Sequence, residues 1–159
     1  QGGGAAATIE PLKVHIDDYE RHLVNNLGYG VQSCYRGPRL YDSPEVKAMV
    51  IKQVSWFKKH RAILESDVIH LRRADARNWD GVLHVNPSLP EKAMLVAYNP
   101  RTEAITQRIQ VPLHYSGLRG KATMSIGGAK GKSIKLDAQH QAEIEVTIPP
   151  QGMTWVLFR

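Results

Sequence analysis

Residues 28–66 read GYGVQSCYRGPRLYDSPEVKAMVIKQVSWFKKHRAILES. They hold a short apolar segment, a polar loop and the longest helical pattern in the chain. Val31–Tyr35 is brief and is bounded by Gly30 and Gly37, which predicts a short buried strand. Arg36-Gly37-Pro38-Arg39-Leu40-Tyr41-Asp42 follows as a loop dense in charge and aromatic groups. Ser43 suits a helix N-cap, Pro44 the first helical residue, and Glu45 complements the helix dipole. Val46, Val50, Val54, Phe57 and Leu64 then mark one apolar face, which predicts a helix over 44–65. Lys52, Lys58, Lys59 and Arg61 lie largely off that face, most of them toward the C-terminal end, where cations favour the dipole.

Working back from this stretch, Leu12, Ile16, Tyr19, Leu23 and Leu27 recur at steps of four, three, four and four. Pro11 fits a first helical turn and Gly28 a left-handed stop, so a helix is expected over 11–27. Gly2 to Thr8 is small and reads as a loop.

Working forward, the period changes from 3.6 to 2 after Ser66. Eight strands are expected, at 68–73, 81–86, 93–98, 105–113, 122–126, 133–136, 143–148 and 153–158. Met94-Leu95-Val96-Ala97-Tyr98 is apolar throughout and should be covered on both faces. Eight short strands separated by Gly, Pro and Asn turns indicate an antiparallel sandwich. The fold class is therefore α+β: a helix-strand-helix segment, then a β-sandwich of about eight strands. The expected division is 1–66 and 67–159. A strand between two long helices is the grammar of a βα unit. If that unit ends a (β/α)₈ barrel, about 190 or more residues lie upstream, since such barrels need about 250.

Composition excludes several classes. The chain has 159 residues and a net charge of +6, with +2 in residues 1–65 and +4 in residues 66–159. By halves the excess is spread out, and no nucleic-acid partner is expected. The single cysteine, Cys34, rules out an intramolecular disulfide and a Cys-rich zinc site. No apolar run approaches the ~20 residues of a membrane helix, so no membrane partner is expected. The start lacks the pattern of a signal peptide and an initiating Met, as a fragment or a trimmed chain would. The seven His residues do not cluster, so no metal and no cofactor are expected. Gly127-Gly128-Ala129-Lys130-Gly131-Lys132-Ser133 has the wrong spacing for a phosphate loop and reads as a hairpin turn.

The order of elements resembles the C-terminal end of a glycoside hydrolase of the α-galactosidase-like kind. Trp56-Phe57-Lys58-Lys59-His60-Arg61 looks like the end of the last barrel helix. Asn78–Pro87 looks like the opening hairpin of the sandwich, Lys92–Pro100 the next strand and turn, and Gly152–Phe158 the closing strand. The resemblance implies that 11–27 is the seventh barrel helix, Val31–Tyr35 the eighth strand and 44–65 the eighth helix. It implies a carbohydrate substrate met through the parent barrel and a missing N-terminal catalytic region. The parent would be a hydrolase, for which a secreted or periplasmic location is plausible, and this chain alone would be inactive. The middle barrel strands are not in this sequence, so no catalytic residue is carried over.

In a barrel, residues at the C-terminal ends of strands and in βα loops form the active-site face. Tyr35, Arg36, Arg39, Tyr41 and Asp42 are accordingly the candidate substrate-binding set. Arg can bind a hydroxyl or carboxylate, and Tyr can stack on a sugar ring. The plainer reading has Arg36 and Arg39 pairing with nearby carboxylates and holding the loop, and Asp42 assisting the cap at Ser43. Cys34 is better explained as packing than as a nucleophile. Asp17 and Asp18 are adjacent on a helix and diverge by about 100°, which is wrong for a facing catalytic pair. A carbohydrate-binding sandwich is the alternative function; it needs aromatics such as Trp79, Tyr98 or Tyr115 exposed on a sheet face. A basic nucleic-acid-binding domain is a more remote third.

Overall fold

The computed structural model describes residues 9–33 and 37–159. The chain divides into two compact units, Gln1–Arg61 and Ala62–Arg159.

The first unit is built on two helices, α1 (Ile16–Gly28) and α2 (Pro44–Leu64), the second of which runs three residues past the unit boundary. The predicted stripe of α1 is the one that is buried: Tyr19, Leu23 and Leu27 pack with Leu12, Val46 and Met49. Helix α1 starts later than its sequence suggests. Pro11 begins a turn rather than the helix: its carbonyl accepts from the Val14 and His15 N–H groups, and the first bond into α1 runs from Tyr19 N–H to the His15 carbonyl. The helix also runs through Gly28, and the left-handed residue is Gly30, at φ 73°. The strand expected at Val31–Tyr35 does not appear at Val31–Ser33, which belong to no strand; Cys34 and Tyr35 lie outside the described residues. A strand needs a neighbour to take up its N–H and C=O groups, and among the described residues of the first unit there is none.

Helix α2 begins as predicted. The Val46 N–H donates to Ser43 Oγ at 3.2 Å, which satisfies one of the free donors of the first turn. The same hydroxyl, after the turn's own backbone N–H, holds the Glu45 carboxyl below its ordinary value. Glu20 of α1 accepts from Gln53 Nε2 at 2.6 Å and pairs with Lys52 Nζ at 3.2 Å on α2, tying the helices together.

The second unit contains eight strands: β1 (Asp67–Arg72), β2 (Asp80–Val85), β3 (Ala93–Tyr98), β4 (Ile105–Val111), β5 (Lys121–Ile126), β6 (Lys132–Lys135), β7 (Ala142–Ile148) and β8 (Met153–Phe158). They form two antiparallel sheets, one of order β1-β2-β3-β8-β5-β6 and one of β4-β7. After the β1–β3 meander the chain crosses to the second sheet, returns, crosses again, and finally inserts β8 between β3 and β5. That crossing is what makes two layers rather than one. Between them Leu83, Val85, Leu95, Ala97, Met124, Val156 and Phe158 meet Ile109, Val111, Ile144, Val146 and Ile148.

The register explains which residues point in. On β7 the inward Ala142, Ile144, Val146 and Ile148 alternate with exposed Glu143, Glu145 and Thr147. Outward, Glu145 sits opposite Arg108 at 3.5 Å and Thr147 opposite Thr106 at 3.0 Å. Strand β3 is buried on both faces, as its unbroken apolar run requires. Beside it Gly81 lies opposite Ala97; a Cβ there would come within 2.9 Å of the Val96 carbonyl oxygen. Ile105–Val111 ends two residues before Leu113 because Pro112 supplies no N–H for the ladder, and a 3₁₀ turn, Leu113–Ser116, follows.

Candidate functional site

The polar loop between α1 and α2 contains the sequence-based site. Of its five residues, Arg39, Tyr41 and Asp42 are described; Tyr35 and Arg36, like Cys34, lie outside the described residues.

Three attachments shape the loop. The fully buried Tyr19 of α1 extends its hydroxyl to donate to the Leu40 carbonyl at 3.2 Å. Asp42 Oδ2 accepts from the Lys13 N–H at 3.2 Å. Arg39 Nε stands 3.5 Å from Glu10 Oε1, with the guanidinium still largely exposed. These contacts fix the chain on both sides of Leu40 and Tyr41, whose side chains project outward. The Lys47 ammonium lies 5.3 Å from the centroid of the Tyr41 ring.

The chemistry of this surface is specific. Asp42 spends one oxygen on the backbone; its other oxygen, Oδ1, is buried and has no hydrogen-bond partner. Arg39 presents a cation and Tyr41 an aromatic face. The Arg39 guanidinium and the Tyr41 ring are therefore the groups this loop exposes, while both Asp42 oxygens are turned to the chain. The structure also bears out part of the plainer reading, since Arg39 pairs with Glu10. Ser43, not Asp42, supplies the cap of α2.

The other sequence candidates are dispersed. Among the described residues no three His, Cys, Asp or Glu side chains converge as a metal site. No helix is long and apolar enough to cross a membrane. His70 is exposed on β1, whereas His84 is fully buried on β2. The aromatics proposed for a sugar platform on the sandwich do not form one. Tyr98 is 6% exposed and Trp79 packs against the core, which leaves Tyr115, 53% exposed, beside His114 at 4.1 Å between ring centroids.

One arrangement is absent from the sequence reading altogether. Asp75, in the β1–β2 loop, accepts from the Arg77 N–H and from both the N–H and Nδ2 of Asn78, and pairs with Arg72 at 2.8 Å. Those bonds, the Asn78 side chain first, hold its carboxyl far below the usual aspartate value. Arg101 from the β3–β4 loop continues the network to the Arg77 carbonyl and to Asn78 Oδ1. Asn99 extends it to the carbonyls of Glu103, Ile148 and Pro149. The bond from the Arg77 N–H, two residues on, makes this an Asx turn, and an Asp in a loop is the residue-type signal that could have revealed it.

No protein-family model matches the chain, and no curated protein matches it in sequence. Solved structures do match in fold. An alpha-amylase from Geobacillus thermoleovorans, complexed with acarbose, superimposes with a TM-score of 0.56 at 12% identity over 96% of this chain and 37% of that one. A type I pullulanase from Bacillus subtilis, complexed with maltose, gives 0.48 at 7% identity over 94% and 24%. A chain described as an alpha-galactosidase/melibiase from Bacteroides fragilis gives 0.47 at 12% identity over 90% and 28%. This chain thus spans well under half the length of the structures it resembles. Its two helices and antiparallel sandwich thus share the fold of part of that alpha-amylase.

Proposed function

We propose that the chain is the C-terminal portion of a carbohydrate-active glycoside hydrolase. The single observation that carries this reading is the likeness over 96% of the chain to little more than a third of an alpha-amylase. In it, residues 1–66 are the terminal βα segment of a barrel, and the sandwich of residues 67–159 is a structural domain packed on that barrel. The loop holding Arg39, Tyr41 and Asp42, together with Tyr35 and Arg36, borders the sugar site. Hydrolysis requires two carboxyl groups across the scissile bond. This loop supplies one half-buried carboxylate, already bonded to Lys13. The chemistry therefore belongs to the parent barrel, with the loop orienting substrate.

The test is turnover. The isolated 159-residue chain, assayed against chromogenic α- and β-glycosides and soluble starch, is expected to give no release above the blank. Sustained turnover by the purified chain alone would overturn the proposal. A free-standing sugar-binding sandwich is less well supported, because two of its three aromatics face inward.

A further inference from the structure

One block of positive charge unbalanced by any acid lies in the second half of the chain. Residues 104–136 carry six Lys and Arg and no Asp or Glu, which leaves fifteen of each sign in the rest of the sequence. Arg108 faces Glu145 across the β4–β7 ladder. The other five, Arg119, Lys121, Lys130, Lys132 and Lys135, belong to the β5–β6 hairpin and its entry. All four lysines are exposed. Among the described residues no ion pair reaches any of the five. The first acid beyond the segment, Asp137, is occupied by the Gln139 and Gln141 N–H groups and by Gln110.

The register sharpens this concentration. Lys121 lies directly opposite Lys135, and Thr123 opposite Ser133 two residues along the same face. Like charges in direct cross-strand register are destabilising. Lysines do protect sheet edges, and β6 is an edge strand. That role accounts for Lys132 and Lys135. Arg119 Nη1 donates to the His114 and Leu118 carbonyls, but neither role accounts for Lys121 on the inner strand β5 or for Lys130 in the turn. An anionic ligand would turn the repulsion between Lys121 and Lys135 into a shared attraction, with the Thr123 and Ser133 hydroxyls beside it as hydrogen-bond donors.

We propose that the β5–β6 hairpin binds a polyanionic polysaccharide, one that carries sulfate or uronate groups. The segment from Leu118 to Leu136 contains no aromatic residue of its own, and Trp155, packed beside Gly128 of its turn, is only partly exposed, which leaves little surface on which single-stranded bases could stack. The choice of a glycan over a duplex nucleic acid rests on the carbohydrate reading above.

The experiment titrates the 159-residue chain with dextran sulfate, polygalacturonate, neutral dextran and a random-sequence DNA duplex at low and moderate salt. The variant Lys121→Gln/Lys132→Gln/Lys135→Gln is set against Lys13→Gln/Lys58→Gln/Lys59→Gln, which removes the same charge elsewhere. The anionic glycans are expected to bind, neutral dextran not to bind, and the duplex to bind more weakly. The hairpin variant should lose about tenfold in affinity and show a flatter salt dependence, while the control changes by less than about twofold. The proposal is overturned if neither anionic glycan binds, if both variants weaken alike, or if the duplex binds more tightly. Thermal unfolding of the hairpin variant at or above the wild-type Tm shows that binding, not folding, was lost. Lys130→Gln, in the turn itself, gives a second and milder variant that should weaken binding in the same direction. Failure here leaves the turnover test of the parent function untouched.

Discussion

At the scale of single residues, two positions carry structural weight out of proportion to their size. Gly81 is one, because the β3 backbone passes where its side chain would be. Gly81→Ala should destabilise the sandwich by about 1–3 kcal/mol, read as a lower urea midpoint with an unchanged m-value. Asp75 is the other. Its carboxyl is held below the ordinary value in the folded state by Asn78, the Arg77 N–H and Arg72. A depressed native value means that the unfolded chain binds the proton more readily. The stability it contributes is therefore complete above the ordinary aspartate value of about 3.9 and is lost as pH falls through the lowered one. Asp75→Asn should lower Tm at neutral pH and shrink the Tm difference between neutral pH and about pH 2. An unchanged difference would show that the Asp75 network contributes nothing to folding.

The elements divide by how local their causes are. Ser43 caps α2 through a bond to a residue three positions away, and the sequence alone announces it. Ser43→Ala should cost about 1 kcal/mol, measured by chemical denaturation alongside helical ellipticity. Strand existence was equally legible, since all eight strands appear within one or two residues of their period-2 runs. What sequence could not supply is partnership. The placement of β8 between β3 and β5 depends on contacts far apart along the chain. The same holds for Val31–Tyr35. Its composition is that of a buried strand, but a strand exists only against a neighbour, and Val31–Ser33 have none among the described residues. The start of α1 failed for a different reason. Pro11 fits a first helical turn, yet it also fits the preceding turn that the chain adopts. The candidate loop was legible by residue type. The pinning of Leu40 by Tyr19 was not, because nothing in the spacing links residues 19 and 40.

For the whole molecule, the two units present different problems. The sandwich has a closed apolar interior fed by both sheets, as a domain able to stand by itself requires. The helical unit buries one apolar stripe but leaves Val14, Val31, Leu40 and Ile51 exposed. On the reading proposed above, the unit ends a barrel, and these side chains are the ones that barrel would cover. The most direct test of that origin is the nucleotide sequence immediately 5′ of the Gln1 codon in the gene. The account predicts an open reading frame continuing upstream for about 190 codons or more, encoding alternating strands and helices with Asp or Glu at successive strand ends. A frame that opens close to Gln1, or that encodes an unrelated fold, would contradict it.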